Sequence, residues 1–329
     1  MMKAAIFNRF GTAVEVLSIQ DIDQPVAEKD QVLVRMQTSG VNPSDVKKRA
    51  GSFPNLLDGG FVVPHSDGAG VIEAVGEGVG ADRIGERVWV YQAQFARRFG
   101  TAAEYLAIDA RRAIPLPDQV SAQVGACLGI PAMTAHRCVF ADGEVAGQTI
   151  LVTGGAGRVG YYAIQWAAAA GATVIASASN DDDAQACRDV GATHIVNHRD
   201  DNWSEAVLAA NEGKPVERVI DVEFGANLPE VLKCIAVNGV IATYSSTQVS
   251  EPTLPFFQMM YMDLTLRTVI VYAMPEAAKD AAIEDITAAL KGNSLKHRIH
   301  QTLPLVEISS SHELIESGEV RGCVVLNID

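Results

Sequence analysis

Two patterns of apolar and polar residues follow one another along the chain. Before about residue 120, short apolar runs are separated by glycine and proline, as in QVLVRMQTSGV, GVIEAVGEGV, ERVWVY and AEYLAI. Alternation of apolar and polar positions predicts β-strands. The segment PSDVKKRAG predicts one or two helical turns that end at Gly51. This half of the chain is therefore expected to form a β-rich, barrel-like unit.

From Thr149 onward, strand and helix patterns alternate. The strand patterns are TILV, TVIAS, HIVN, RVIDV, VIATY and LTLRTVIVY, and the helix patterns between them include YYAIQWAAAAG, DDAQACRDVG, WSEAVLAA and LPEVLKCIAVNG. The segment SAQVGACLGIPAMTAHRCVF, also with helical spacing, leads into this region. Strands that alternate with helices of ~10 residues predict βαβ units and a parallel sheet covered on both faces.

The end of the chain is expected to rejoin the β-rich half. After Tyr272 a long helix, AAKDAAIEDITAALKGN, and a final strand, CVVLNI, follow. The 329 residues are enough for two domains at ~150 residues each. We predict an α/β fold in which a doubly wound parallel-sheet domain, residues 122–272, is inserted in a β-rich domain, residues 1–121 plus 273–329.

A glycine-rich loop, TGGAGRVG, joins the predicted strand TILV to the helix that follows it. It contains Gly154, Gly155, Gly157 and Gly160. Glycine permits a tight turn, a close approach of pyrophosphate to the backbone and close helix packing, and the helix N-terminus favours phosphate. Because the loop lies between a strand and a helix within βαβ units, we predict dinucleotide binding rather than an ordinary turn. Arg158 either lies on the pyrophosphate or is a solvated surface residue.

The second strand of the nucleotide domain ends without an acidic residue. NAD sites usually place Asp or Glu there, ~20 residues past the glycines, to bind the ribose 2′-hydroxyl. In TVIASAS the expected position is Ala178, which favours NADPH. Asp181–Asp183 would repel a 2′-phosphate, but we expect them to form the first turn of a helix, where the helix dipole stabilises them. His198 and Arg199, after the third strand, are candidates to bind the phosphate.

The β-rich half lacks the ligands of a catalytic zinc site. Zinc-dependent medium-chain alcohol dehydrogenases, which combine two such domains, need Cys and His ligands from the first domain. Here no cysteine precedes Cys127, and GVNPSD stands where a Cys ligand would be needed. His65 is a lone histidine there and is expected on a loop surface, and a four-cysteine structural cluster is also absent. We therefore expect no metal.

The composition and charge of the chain disfavour some classes of binding partner. The chain is 48% hydrophobic and 20% charged, an ordinary balance for a globular protein. With 26 Lys and Arg against 40 Asp and Glu, the formal net charge of −14 disfavours nucleic acid and anionic membranes as partners. The most apolar stretch, residues 161–178, is interrupted by Gly171, so no membrane span is expected. The five scattered cysteines favour reduced thiols and a cytoplasmic location.

The chain resembles the zinc-lacking, zeta-crystallin-like quinone oxidoreductase branch of the medium-chain dehydrogenase/reductase family. The matching segments are SGVNPSDVKKRAG, VPHSDGAGVIEAVGEGV, GERVWV, AEYLAID, LGIPAMTAHRCVF, VTGGAGRVG and VNHRDD, in the family's order. The resemblance implies a GroES-like catalytic domain, an inserted Rossmann domain, NADPH as hydride donor, a quinone as acceptor and no zinc. It also implies a homodimer or homotetramer, for which LTLRTVIVY is the candidate edge strand.

The resemblance further implies which residues surround the cofactor. Those expected at the pyrophosphate are Gly155, Ala156, Gly157, Arg158, Val159 and Gly160. Those expected elsewhere on the dinucleotide are Ser177 and His198, joined by Arg199, near the adenosine ribose, then Asn227, Tyr244, Ser245, Ser246 and Thr247 along its length, and Thr134, Val269, Ile270 and Val271 at the nicotinamide.

The candidate catalytic residues are Asn42, Asp45, Lys47 and Thr134. By resemblance, Asn42 and Asp45 match polar residues of the family's cleft floor. Quinone reduction mainly needs alignment of hydride and ring, together with a donor to the charge that develops on the quinone oxygen. Asn42, Lys47 or a water can supply that donor. The residues alone also allow Asn42 as a turn residue, Asp45 as an N-terminal helix residue and Thr134 as a buried helix hydroxyl.

Three positions depart from the family pattern. Lys47 replaces a cleft-lining Tyr, Arg158 replaces a glycine, and Cys323 replaces the Lys of a C-terminal Gly-Lys pair. The acceptor that the resemblance implies is a small-molecule quinone or another conjugated carbonyl. Two alternatives stay open: an NADPH-dependent enoyl or alkenal reductase on the same scaffold, and a non-catalytic NADPH-binding sensor or structural protein.

Overall fold

The computed structural model describes residues 1–328, which fold into two compact units. Unit 1 contains residues 1–130 and the chain from Asp285 onward, and unit 2 contains residues 131–284. Unit 2 is therefore an insertion in the sequence of unit 1. The functional domain boundaries at residues 121 and 273 remain predictions.

The helices and strands are numbered in chain order. Up to the π-helical turn Leu128–Ala132 they are β1 (Met2–Ile6), α1 (Ala13–Val16), β2 (Ser18–Ile22), β3 (Gln31–Val41), α2 (Pro43–Arg49), β4 (Asp67–Val75), β5 (Arg87–Val90), β6 (Tyr105–Asp109), β7 (Ala113–Pro115) and α3 (Ala122–Gly125). Next come α4 (Met133–Phe140), β8 (Thr149–Val152), α5 (Arg158–Ala169), β9 (Thr173–Ser177), α6 (Asp181–Arg188), β10 (His194–Val196), α7 (Trp203–Ala210), β11 (Val216–Asp221), α8 (Phe224–Cys234), β12 (Ile235–Thr243), α9 (Phe256–Tyr261) and β13 (Thr265–Thr268). The last are α10 (Glu276–Lys291), β14 (Ile299–Pro304), α11 (Ile308–Glu316) and β15 (Cys323–Asn327).

Unit 1 is built on a seven-stranded sheet. Its strands follow the order β14-β15-β3-β4-β5-β7, and β6 pairs with β3. The β14–β15 pair is parallel and the other pairs are antiparallel. Alternate residues of β3, including Val32, Val34 and Met36, are buried in the main core of the unit. The predicted β-rich character of this half is confirmed.

Unit 2 is built on a six-stranded parallel sheet in the order β10-β9-β8-β11-β12-β13. Leu151, Ile175, Val219 and Ile241, one from each of four neighbouring strands, are fully buried. Such apolar strands are typical of a parallel sheet that helices cover on both faces. The predicted doubly wound α/β domain is confirmed.

Glycines end two helices as the sequence predicted. Gly51 follows α2 with a φ of 103°, and Gly171 follows α5 with a φ of 85°. Glycine adopts this left-handed conformation without the steric cost that a Cβ brings. Among the described helices, none is long and apolar enough to cross a lipid bilayer.

Three predicted elements have other limits. The helix predicted over LPEVLKCIAVNG ends at Cys234, and the residues that follow it begin β12. The strand predicted over LTLRTVIVY is limited to Thr265–Thr268, and a single turn of 3₁₀-helix follows at Val271–Ala273. The helical pattern before Phe140 is divided by the π-helical turn, which contains Pro131. Proline has no N–H for helical bonding, so it disfavours a continuous α-helix there.

Candidate functional site

The glycine-rich loop lies where the strand order of unit 2 reverses. From β8 the chain winds outward to β9 and β10, whereas β11, β12 and β13 lie on the other side of β8. Doubly wound sheets bind their ligands at this point, outside the carboxyl ends of the strands. The segments that follow β8, β9, β11 and β12 therefore form the candidate nucleotide site.

The loop glycines have different surroundings. A Cβ on Gly160 would lie 2.4 Å from the carbonyl oxygen of Gly154, and one on Gly155 would lie 2.9 Å from the Cβ of Ala176. A Cβ on Gly157 would meet only the Gly154 oxygen, at 3.1 Å. Gly160 therefore permits α5 to pack against the loop, whereas Gly157 leaves open space at the start of the helix. This arrangement fits a pyrophosphate.

The first turn of α5 is not capped by a side chain, because its N-cap residue is Gly157. The N–H groups of a helix's first turn and the positive end of its dipole attract phosphate. Arg158, the first residue of α5, is half-buried, so the surface alternative is only partly correct. Its charge acts on the phenol of Tyr244, whose pKa burial raises well above its ordinary value.

Asp221, at the end of β11, organises the loops at this point, and the sequence reasoning missed it. Its Oδ1 accepts hydrogen bonds from Thr153 Oγ1 at 2.6 Å, Asn227 Nδ2 at 2.7 Å and the Glu223 N–H at 3.1 Å. Burial raises the pKa of the carboxyl, and these hydrogen bonds oppose the rise. An aspartate that ends an otherwise apolar strand, RVIDV, was the available signal.

The residues expected at the adenosine ribose follow β9 and β10. The buried Ser177 hydroxyl accepts a hydrogen bond from the Gly154 N–H at 2.9 Å, so it also fixes the glycine loop. Ala178 is buried directly after it. His198 and Arg199 are exposed and follow β10, the strand that pairs with β9.

The three consecutive aspartates form the first turn of α6, as the sequence predicted. The side chain of Asn180 caps this helix by accepting a hydrogen bond from the Asp183 N–H at 2.9 Å. Asp183 is buried, whereas Asp181 and Asp182 are exposed. The helix dipole stabilises carboxylates in this position.

The other proposed cofactor residues of unit 2 lie in the segments that follow β12 and β13 or, for Thr134, on helix α4. The segment 244–247 follows β12, where the Ser246 hydroxyl accepts a hydrogen bond from the Gly225 N–H at 2.9 Å. The segment 269–271 follows β13, and the Val269 N–H donates to the Thr243 oxygen at 2.7 Å. Thr134 is buried on α4, which packs against α5 and β12. The structure thus brings the residues after β12 and β13 to one edge of the sheet.

In unit 1, Asn42 and Asp45 begin helix α2. Asn42 is the N-cap, Pro43 follows it, and the Asn42 N–H donates to the Asp45 carboxylate at 2.9 Å. Asp45 is thus an N-terminal helix residue, as its alternative stated, and Asn42 is the N-cap rather than a residue of a separate turn. The Nδ2 group of the Asn42 side chain remains available for a second contact, because the bond to the Asp45 carboxylate uses the backbone N–H.

That second contact is with Asp67, a fully buried carboxyl at the start of β4. Its Oδ2 accepts hydrogen bonds from Asn42 Nδ2 at 2.9 Å and from the Ile130 N–H at 2.8 Å. Its Oδ1 is buried without a hydrogen-bond partner among the described residues. Burial raises the pKa of Asp67 to about 8, with a further contribution from Asp45, while the hydrogen bonds and the Lys48 charge oppose the rise.

Lys48, rather than Lys47, lies buried beside this carboxyl. Its Nζ donates to the Gln94 carbonyl oxygen at 2.5 Å and contacts Ser66 Oγ at 3.5 Å, whereas Lys47 is exposed. Burial lowers the pKa of Lys48, and the charges of two nearby aspartates oppose this. The sequence reasoning missed Lys48, although its i,i+3 spacing from the predicted Asp45 indicated one face of the helix.

His65 is fully buried, so its predicted position on a loop surface is wrong. Its Nδ1 lies 2.8 Å from Ser39 Oγ, and its Nε2 lies 2.9 Å from Nε2 of His312, on α11. The sequence did not indicate this burial because the partner of His65 is distant, since 247 residues separate the two histidines. Burial lowers the pKa of both imidazoles, that of His312 to about 3.

The hydrogen bonds that link Thr101, Ser39, His65 and His312 allow one consistent assignment of their hydrogens. Thr101 Oγ1 donates to the Asp67 carbonyl oxygen, so it must accept the hydrogen of Ser39 Oγ, 2.7 Å away. Ser39 then accepts from the Nδ1–H of His65, whose Nε2 accepts from His312. Burial lowers the pKa of both imidazoles and so favours their neutral forms. In a neutral His312 the remaining Nδ1 carries no hydrogen, and it has no partner among the described residues.

Replacement of His312 is expected to reduce the sensitivity of folding to acid. The pKa of an unfolded histidine is near 6.5, whereas the pKa of folded His312 is far lower. Below pH 6.5 the unfolded state therefore binds more protons than the folded state, and the free energy of unfolding decreases as the pH is lowered. In His312→Gln, whose amide can donate to His65, the slope of unfolding free energy between pH 6 and 5 should decrease by about 1 kcal/mol per pH unit. Urea unfolding at pH 7, 6 and 5 measures it.

The exposed His300 provides the control for this experiment. His300→Gln should leave the slope unchanged. The raised pKa of Asp67 acts in the opposite direction, but it is present in every protein compared and cancels. Equal slopes for His312→Gln and the unaltered protein would show that His312 titrates normally.

Within residues 1–328, no group of three or more His, Cys, Asp or Glu side chains is arranged to hold a metal ion. The polar cluster around Asp67 offers the carboxyls of Asp45 and Asp67, the Asn42 amide and the Lys48 ammonium group. Zinc is held by thiolate, imidazole and carboxylate groups, and an ammonium group repels a cation, so this cluster is unsuited to zinc.

Comparison with known proteins identifies both parts of the chain. Residues 28–118 match the alcohol dehydrogenase GroES-like domain, and residues 159–288 match the zinc-binding dehydrogenase family. The quinone oxidoreductase of Mus musculus is 32% identical over 243 residues, covering 73% of this chain and 72% of that protein. The quinone oxidoreductase of Rattus norvegicus is 28% identical over 332 residues, covering 99% and 98%.

A solved mycobacterial structure in complex with NADPH resembles this chain over the whole length of that structure. It has a TM-score of 0.88 and 25% sequence identity, and the match covers 99% of this chain and 100% of that one. The GroES-like and Rossmann architecture expected from the sequence is confirmed.

Proposed function

Because the chain belongs to the quinone oxidoreductase branch of the medium-chain dehydrogenase/reductase family of oxidoreductases, we propose that it is an NADPH-dependent, zinc-independent quinone oxidoreductase. The observation that carries the proposal is the glycine loop at the reversal of strand order, together with a second strand that is followed by Ala178 instead of an acid. Relatives named quinone oxidoreductases support the acceptor.

We propose that the chain holds NADPH by its backbone and a few polar groups. The backbone of residues 155–160 binds the pyrophosphate, and Ser177, His198 and Arg199 bind the adenosine ribose and its phosphate. The residues proposed for the rest of the dinucleotide are Asn227, Tyr244, Ser245, Ser246 and Thr247, with Thr134, Val269, Ile270 and Val271 for the nicotinamide. When bound, NADPH supplies a hydride, and a quinone that takes up this hydride and one proton becomes a hydroquinone.

The polar cluster of unit 1 is proposed to stabilise charge on the acceptor. Asn42 and Asp45 remain candidates from the family resemblance, and Lys47 remains a candidate from its place in the family motif. We add Lys48, because a buried ammonium group stabilises an oxygen that becomes negative. We add Asp67, because burial raises its pKa to about 8 and so favours the protonated carboxyl, which can donate a hydrogen bond. No metal is needed for this, which supports zinc independence.

The first experiment is the loss of absorbance at 340 nm with a simple 1,4-quinone and excess chelator, comparing NADPH with NADH. The proposal requires chelator-insensitive oxidation that prefers NADPH. A larger rate with a 2-alkenal would instead identify an alkenal reductase. Tight NADPH binding without oxidation by either acceptor would identify a non-catalytic nucleotide-binding protein.

Removal of the Arg199 charge is expected to weaken the preference for NADPH. If the guanidinium binds the 2′-phosphate, Arg199→Gln lowers the ratio of kcat/KM for NADPH to that for NADH about tenfold. Steady-state kinetics with both cofactors measures the ratio. Arg188→Gln, at an exposed position of α6, is the matched control. An unchanged ratio in Arg199→Gln would remove Arg199 from the site.

Two observations favour a homodimer or homotetramer. Strand β13 ends the sheet of unit 2, and Phe256, Phe257 and Tyr261 on the preceding helix are 67%, 68% and 79% exposed. Light scattering should give the mass of two or four chains, and Phe257→Asp should reduce it. Val306→Asp, at an exposed apolar position of unit 1, should not. A single-chain mass for the unaltered protein would contradict the proposal.

The location proposed for the protein is the cytoplasm. All five cysteines are free and buried in the structure. Unpaired thiols are typical of a reducing compartment.

A further inference from the structure

A cavity of about 510 Å³ lies wholly within unit 1 and combines aromatic rings with positive charge. Its lining includes Phe53 and Phe95, together with the cations Lys48, Arg97 and Arg98. None of the described residues that line it is acidic. In a chain with 40 acidic and 26 basic residues, a lining with three basic and no acidic residues is a local reversal of charge.

The two guanidinium groups are held in place without losing their charge. Arg97 Nη2 donates to the Ala107 carbonyl oxygen at 2.6 Å, and Arg98 Nε donates to the Phe61 carbonyl oxygen at 2.9 Å. Arg98 also lies over the Phe61 ring, 4.3 Å from its centre. Carbonyl oxygens orient a guanidinium but do not neutralise it, and arginine stays protonated even where burial lowers its pKa, as it does for Arg97.

The aromatic side chains suit a flat ligand. Phe53 and Phe95 are each 44% exposed, so both rings are accessible to a ligand. A planar ring that covers them would bury apolar surface and could stack on their faces. A volume of about 510 Å³ is also ordinary for a small-molecule site.

Lys48 connects the cavity to the candidate catalytic cluster. Lys48 is one of the lining residues, and its ammonium group interacts with the charges of Asp45 and Asp67. A ligand in the cavity would therefore meet Lys48, next to the polar cluster, on one part of the lining and the two arginines on another part.

We propose that this cavity selects acceptors in which a planar conjugated ring carries an anionic substituent, such as a carboxylate or sulfonate. This inference rests on the proposed quinone reductase function and specifies its substrate class. The phenylalanines bind the ring, and Arg97 and Arg98 bind the anion.

Binding is tested without turnover, using two probes that share one ring. Calorimetric titration of the full chain with 2-naphthalenesulfonate and with neutral 2-naphthalenemethanol compares their affinities. We expect the sulfonate to bind at least about tenfold more tightly, with a difference that decreases at high salt. Equal affinities would overturn the inference.

Substitutions locate the effect. Arg98→Gln should reduce the sulfonate advantage, and Arg111→Gln, at an exposed arginine outside the cavity lining, should not. Since Arg98 also bonds the backbone, Asn55→Glu is the second variant: it places a carboxylate at an exposed position of the lining, and Asn55→Gln is its neutral match. We expect Asn55→Glu to weaken sulfonate binding about tenfold and to spare the alcohol. An unchanged advantage in both Arg98→Gln and Asn55→Glu would overturn the inference.

Kinetics separate this inference from the proposed function. The ratio of kcat/KM for 1,4-naphthoquinone-2-sulfonate to that for 1,4-naphthoquinone should fall in Asn55→Glu relative to Asn55→Gln. Selective sulfonate binding with no quinone reduced would refute the function and retain the anion site. Reduction of both quinones without any effect of the variants would retain the function and refute the anion site.

Discussion

Gly160→Ala should abolish measurable NADPH binding and destabilise unit 2. The added Cβ would lie 2.4 Å from the Gly154 carbonyl oxygen and 3.0 Å from the Cα of Gly155. Both are backbone atoms, so no side chain can rotate away, and either the loop or α5 must move. Overpacking of this kind costs about 1–3 kcal/mol of unfolding free energy. The loop that moves is the one proposed to bind pyrophosphate, so binding should be lost with it.

Gly157→Ala is the matched variant that separates cofactor binding from folding. Its Cβ would meet only the Gly154 oxygen, at 3.1 Å, which a shift of a few tenths of an ångström relieves. We therefore expect a nearly unchanged urea midpoint but at least about tenfold weaker NADPH binding, because the methyl group enters the space left for pyrophosphate.

Fluorescence titration with NADPH and urea unfolding of both variants measure these two effects. Gly143→Ala is not a suitable control, since its φ of 95° makes any side chain strained. Gly292→Ala is suitable, because its nearest contact would be an ordinary 3.4 Å. Normal NADPH binding by Gly160→Ala would show that the loop does not form the pyrophosphate site.

The nucleotide-binding unit was predictable from the sequence because its signals are local. A glycine loop between a strand and a helix, and an acidic first turn after Asn180, each depend on residues within a few positions of one another. The helix end at Gly171 depends on one residue's conformation. Such features need no knowledge of distant partners.

The limits of β12 and β13 were less predictable, because apolar runs fit more than one element. The residues CIAV continue the apolar pattern of α8 but belong to β12 after Cys234. Strand β13 ends at Thr268, although Val269 and Ile270 continue the apolar run, and a 3₁₀ turn begins at Val271. Tertiary contacts decide such cases, and periodicity alone does not.

The polar cluster of unit 1 depends on contacts between distant segments. His65 meets a histidine of α11, and Asp67 accepts the Ile130 N–H across 63 residues. A lone histidine and a lone aspartate therefore gave no local indication of burial. For Lys47 and Lys48, adjacent and chemically identical, only the packing of α2 shows which one is buried.

Lys48→Met should lower kcat/KM for the quinone about 100-fold, the effect of removing one preorganised electrostatic donor. The variant removes the buried ammonium group beside Asp67 but keeps an unbranched apolar chain. The KM for NADPH should stay unchanged, because the glycine loop lies in the other unit. Loss of the Lys48 charge also raises the pKa of Asp67 further, since that charge opposes the effect of burial. Any decline in activity that follows Asp67 ionisation near pH 8 should therefore move to higher pH.

Steady-state kinetics from pH 6 to 9, together with thermal unfolding, test this prediction. Lys48→Arg, which keeps the positive charge, should recover part of the activity. Lys47→Met tests the competing assignment from the sequence, in which the exposed lysine contacts the acceptor. A larger loss in Lys47→Met than in Lys48→Met, with both variants folded, would transfer the role to Lys47. Full activity in a folded Lys48→Met would exclude the buried ammonium from catalysis and leave Asn42 or a water as the donor to the quinone oxygen.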